Sequence, residues 1–124
     1  MFVNALASAP ASATPMEAIA VTLEVVSGWF RDRHERARQR QRIIVANAEL
    51  QERELVKLAS VAAVLAGALR ERGIEEPAAS VAAETAIAVF RNAFERWVAE
   101  DTERDLADVV RESLDALRAV TVGS

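Results

Sequence analysis

The chain is 124 residues long, enough for one domain of ordinary size, and its 52% apolar and 27% charged residues exclude disorder. It has no cysteine and one histidine, His34, which excludes a disulfide framework, a thiolate zinc site and a cysteine nucleophile and leaves a His-rich metal centre or a Ser-His-Asp triad almost nothing to draw on. A net charge of −4 gives no overall pull on nucleic acid, and no run is long and apolar enough to span a bilayer.

Only 4 glycines and 3 prolines punctuate the chain, so its elements should be long. Alanine is the commonest residue, and of the 15 basic residues only Lys57 is lysine. Ala, Leu, Glu and Arg are the strongest helix formers, so the expected fold class is all-α, a helical bundle of four to five helices. Met1 to Thr14 lack a basic segment ahead of an apolar core, so no secretory signal is expected and a soluble, cytoplasmic protein without membrane contact is the default.

Val3 to Ala7 can form one or two helical turns, and Ser8 to Pro15 is a small-residue loop. Thr14, Pro15 and Glu17 form a helix start with capping-box spacing. From Pro15 to about Arg33, Met16, Ile19, Ala20, Leu23, Val26 and Phe30 recur at helical spacing along one face. Arg31 to Arg42 is a charge run in which Arg31, Arg38 and Arg42 share one side and Arg33, Arg36 and Arg40 another. A second helix should run from near His34 to about Ala46, with Ile43, Ile44 and Val45 as its apolar cluster and Asn47 as a cap or hinge. Ala48 to Arg72 reads as a long helix with a Leu55, Leu58, Ala62, Leu65, Leu69 stripe, stopped by Gly73.

Pro77 to about Glu100 is the most apolar helix. Val81, Ala82, Ala86, Val89, Ala93 and Trp97 mark one face and Ile87, Phe90, Phe94 and Val98 another, a width that suggests burial on two sides. Asp101 and Thr102 should start the last helix through a Thr102-x-x-Asp105 box, with Leu106, Val109, Val110, Ser113, Leu117 and Val120 facing inward. No strand is expected.

Candidate chemistry is sparse. His34 has no second ligand at helical spacing and reads as a helix-start or solvent-facing residue. Most glutamates alternate with arginine, as Glu49 with Arg53 and Glu100 with Arg104, the pattern of surface ion pairs, and no Glu-x-x-His pair is present for a carboxylate di-iron centre. The arginine run lacks interleaved aromatics for base stacking and reads as a solvated face; alternatively some of its arginines sit at a pocket mouth and hold an anionic head group, or face a neighbouring domain. Thr22, Ser60, Glu84 and Asn92 lie on apolar helices, where they either hydrogen-bond internally or orient polar groups in an apolar pocket. Five of the six aromatic residues fall in two groups, Trp29 with Phe30 and Phe90 with Phe94 and Trp97.

Three segments carry a family resemblance. Arg42 to Glu54, Ala88 to Trp97 and Asp105 to Leu117, in that order and spacing, resemble stretches of TetR-type repressors of the actinobacterial subgroup whose C-terminal domain is related to that of the mycofactocin regulator. The family's N-terminal helix-turn-helix has no counterpart here, and Phe2 to Ala7 is similar to the end of the helix that links its two domains, so the chain is expected to be the regulatory half alone.

The resemblance implies a single ligand-binding and dimerisation domain with the TetR C-terminal helical fold, no cofactor, and DNA contact only through the missing domain. It further implies an apolar small molecule or acyl-CoA-like effector and a homodimer built on the last two helices. The pocket is expected at Leu23, Trp29, Phe30, Ile44, Leu58, Leu65, Phe90 and Phe94, with Thr22, Ser60 or Asn92 as polar contacts. The interface is expected at Ala82, Ala86, Val89, Ala93 and Trp97 with Leu106, Val110, Ser113 and Leu117. The competing expectation is a structural helical module with a filled core and no ligand. The lone histidine and the absence of cysteine and tyrosine argue against an enzyme.

Overall fold

In the computed structural model, which describes residues 1–101 and 104–122, the chain is all-helical: α1 (Phe2–Leu6), α2 (Pro15–Gly28), α3 (His34–Val45), α4 (Ala48–Glu71), α5 (Ala78–Ala99) and α6 (Leu106–Thr121). The bundle thus has six helices among the described residues, one more than the upper expectation, because the short N-terminal turns close into α1.

Local chemistry fixes most boundaries. The Thr14 hydroxyl accepts from the Glu17 amide at 3.2 Å while the Glu17 carboxylate accepts from the Thr14 amide at 2.8 Å, a complete capping box ahead of Pro15. The Asn47 side chain accepts from the Glu49 and Leu50 amides and starts α4. At the other end Gly73 adopts a left-handed φ of 93°, its amide donates to Arg70 and the Ile74 amide reaches back to Leu69. That is a Schellman stop, with Ile74 packed on the core beside it.

Two boundaries differ from expectation. α2 stops at Gly28 instead of continuing to Arg33: the amides of Trp29 and Phe30 form tightened three-residue bonds to Val26 and Ser27, and Asp32 turns the chain with φ 62°. α6 starts at Leu106, with Asp105 as its N-cap, because the chain leaves α5 extended at Glu100. The Thr102-x-x-Asp105 box lies partly outside the described residues.

α5 is the central element and packs against α2, α3, α4 and α6. Ala79, Ala83, Ala86 and Ala93 are fully buried along it, so small side chains let neighbouring helices come close. Ile19, Leu23, Val26, Leu65, Leu69, Trp97, Leu106, Val109 and Val110 fill the space between them. Of the apolar cluster expected on α3, only Ile44 is buried; Ile43 and Val45 face outward.

Polar ties lock this frame. Arg111 on α6 pairs with Glu24 on α2, and Arg104 pairs with Glu100 and Glu112. The Arg72 guanidinium, at the end of α4, donates to the carbonyls of Leu6, Ala9 and Pro10 at 3.3, 2.9 and 2.6 Å. It thereby satisfies the end of α1 and the loop beyond it. His34 opens α3 half-buried, as a helix-start residue.

Candidate functional site

A cavity of about 990 Å³ opens between α1, the α2–α3 turn, α3, α4 and α5. Its wall is aromatic because α2 ends early: the turn presents Trp29 and Phe30 toward α5, where Phe90 and Phe94 lie one turn apart on one face. Phe30 is the hub, with ring centroids 5.3 Å from Phe94, 6.1 Å from Phe90 and 4.9 Å from Trp29. Phe2 closes the N-terminal side with an edge-on contact to Phe90 at 5.3 Å. Ile44, Leu58, Val61 and Val64 complete the apolar lining, and Ser60 adds a hydroxyl.

The rim is basic, in a chain whose net charge is −4. Arg33, Arg36, Arg40, Lys57 and Arg91 line it against only Glu54 and Glu95 among the described residues. Arg40 is neutralised by Glu54, and Arg33 lies 4.3 Å over the Trp29 ring. Arg36, Lys57 and Arg91 make no ion pair among the described residues. The arrangement can hold an apolar body against aromatic rings and a negative group at the mouth.

Seven residues named from the sequence meet here: Trp29, Phe30, Ile44, Leu58, Ser60, Phe90 and Phe94. Four do not. Leu23 and Leu65 are fully buried in the core beneath. Thr22 is buried and its hydroxyl is spent on the Ala18 carbonyl at 2.8 Å. Asn92 is exposed and absent from the lining: midway between Phe90 and Phe94, it points about 200° round the helix from either. Phe2 of α1, in the helical segment expected near the N-terminus, and Val61 and Val64 of α4 also line the cavity but were not among the residues expected there. The shared side of Arg33, Arg36 and Arg40 was legible in their spacing.

The residues expected at a dimer interface pack inside one chain. Ala82, Ala86, Val89, Ala93, Trp97, Leu106, Val110 and Ser113 are buried, and Leu117 rests on the core. Trp97 is held in place by its indole donating to the Arg104 carbonyl at 2.7 Å. α5 is apolar on two sides because α2, α3, α4 and α6 of its own chain surround it.

Among the described residues no group of His, Asp and Glu could hold a metal ion, and no helix is long and apolar enough to cross a membrane. No curated protein is similar enough to the chain to count as a match. A family model described as the MftR C-terminal domain matches residues 13–121, which span α2 to α6. The chain belongs to this family of TetR-type C-terminal domains, the regulatory, effector-binding and dimerisation class.

Proposed function

We propose that this domain senses an amphiphilic effector, an apolar chain bearing an anionic head of the acyl-CoA kind, and acts as a homodimer that controls DNA binding by a helix-turn-helix domain outside this sequence. The observation that carries the reading is the cavity itself: about 990 Å³ walled by Phe2, Trp29, Phe30, Phe90 and Phe94 under a rim where Arg36, Lys57 and Arg91 lack internal partners. A volume at the top of the usual ligand-site range suits a long chain better than a small compact molecule. Its openness to α1 and α3 supports control through shifted helix positions, since a ligand that binds one arrangement more tightly raises that arrangement's population. A purely structural module would have a filled core, which this cavity speaks against.

The test is a thermal-unfolding series with palmitoyl-CoA, palmitate and free coenzyme A. Palmitoyl-CoA at 100 times its Kd should add about 2.7 kcal/mol of stability, with the two halves adding less. If none of the three raises the unfolding temperature, the effector reading is overturned.

A further inference from the structure

We infer that Arg36 and Lys57 form a head-group site at the cavity mouth that takes a phosphoryl group and discriminates against a carboxylate. The inference rests on the effector reading above and names the chemistry of the head.

The site follows from how α3 and α4 face each other. The two helices meet at Ala46 and Asn47 and run away from that connection with the cavity between them. Polar contacts bridge the gap in steps. Nearest the connection, the Gln51 side chain donates to the Val45 carbonyl at 2.7 Å. The next step is the Arg40–Glu54 ion pair. One helical turn further along each helix stand Arg36 and Lys57, both exposed and both lining the cavity. The matching of donor to acceptor breaks there, because this third step has a cation on either side and no acid. Neither side chain makes an ion pair or hydrogen bond among the described residues. Of the two acids that line the cavity, Glu54 is spent on Arg40 and Glu95 belongs to α5.

Two cations on facing helices set the charge and the reach of the group that completes them. A carboxylate carries one negative charge on one short edge, and a single guanidinium matches it, as Arg40 does for Glu54. Held by Arg36, a carboxylate would leave Lys57 unmatched. A phosphate monoester carries about −1.5 to −2 charges at pH 7 on three acceptor oxygens, so it can meet both cations at once. The arginine offers it a planar fork and the lysine a point charge. Ser60, one turn beyond Lys57, adds a hydroxyl to the same lining. The apolar chain then lies along Phe30 and Phe94 inside the cavity. A phosphate set directly on an alkyl chain and the phosphates of a coenzyme A thioester share this chemistry and differ in their distance from the chain.

Fluorescence titration of the full chain with dodecyl phosphate, lauroyl-CoA, dodecanoate and dodecanol, each below its micellar concentration, tests this, with Trp29 in the cavity wall as reporter. At least one of the two phosphoryl compounds should bind at least about tenfold tighter than dodecanoate. In Arg36→Gln and in Lys57→Gln, its affinity relative to that of dodecanol should fall about tenfold. The ratio separates the head from any general change in the cavity, and both side chains are exposed, so circular dichroism should show an unchanged helical fold. The compound that shows the loss identifies the source, a phosphate on the chain itself or the phosphates of a thioester. Equal affinities for phosphoryl and carboxylate heads, or a ratio that survives either substitution, overturns the head-group site while leaving an apolar effector pocket standing. If none of the four compounds binds, the effector reading falls with it.

Discussion

Nε2 of His34 lies 2.8 Å from the main-chain oxygen of Trp97, and the two rings are 4.8 Å apart. A carbonyl can only accept, so the proton sits on Nε2 and the bond ties the first residue of α3 to the last turn of α5. His34→Ala removes the donor and, among the described residues, leaves that carbonyl with only the Glu100 amide at 3.3 Å. The expected cost is about 1 kcal/mol, read as a lower urea midpoint at unchanged m-value. An unaltered midpoint would show that the contact contributes nothing net.

Phe94 is half-buried at the cavity wall, whereas Phe90 is 9% exposed and belongs to the core. Phe94→Ala should therefore leave a folded protein, destabilised by about 2 kcal/mol, below the 3–5 typical of fully buried phenylalanine. Its affinity for palmitoyl-CoA should fall about tenfold, measured by titration calorimetry. A variant that unfolds, or one that binds as tightly as the wild type, contradicts the role given to Phe94.

Ser113 carries the one buried side-chain oxygen without a hydrogen-bond partner among the described residues. Desolvating a hydroxyl without a partner costs free energy, so removing it should help. Ser113→Ala is expected to be neutral or to stabilise by up to about 1 kcal/mol in denaturant unfolding. A marked loss of stability would mean that the hydroxyl is bonded to a buried water.

Acid should weaken the fold through carboxylates that the native state keeps ionised. The Arg104 guanidinium holds the Glu112 carboxyl below its ordinary 4.5, and hydrogen bonds from Thr14 and Ser80 do the same for Glu17 and Glu76. A depressed folded-state value means the stabilisation is present above 4.5 and is lost as the pH falls through the lower folded values. The unfolding temperature should hold from about pH 6 to about pH 5 and decline below about 4.5, and Glu112→Gln should flatten that decline. An identical acid profile for wild type and variant would remove Glu112 from the account.

The helix starts at Thr14 and Asn47 and the stop at Gly73 were legible because capping is decided by a few adjacent residues. The end of α2 was not. Phe30 continues the helical stripe four residues after Val26, and only the packed structure shows the chain turning at Asp32 so that Phe30 faces α5. The aromatic half of the site could be found from spacing, since Phe90 and Phe94 share a face whatever surrounds them. Leu23 and Leu65 have the same periodicity as cavity residues, and periodicity does not distinguish a filled interior from a hollow one. For the same reason the broad apolar girth of α5 pointed to a partner chain, although helices of its own chain supply the cover.

The three carbonyls that converge on Arg72 set a geometric constraint on the chain around them. One planar fork must reach Leu6, Ala9 and Pro10 at once, a span that a lysine ammonium, a single point of charge, cannot replace. The N-terminal segment is therefore cut to the measure of a side chain 62 to 66 residues away. Inserting one residue between Leu6 and Pro10 would pull at least one carbonyl out of register, so the length of that stretch is dictated by α4 and not by the loop itself.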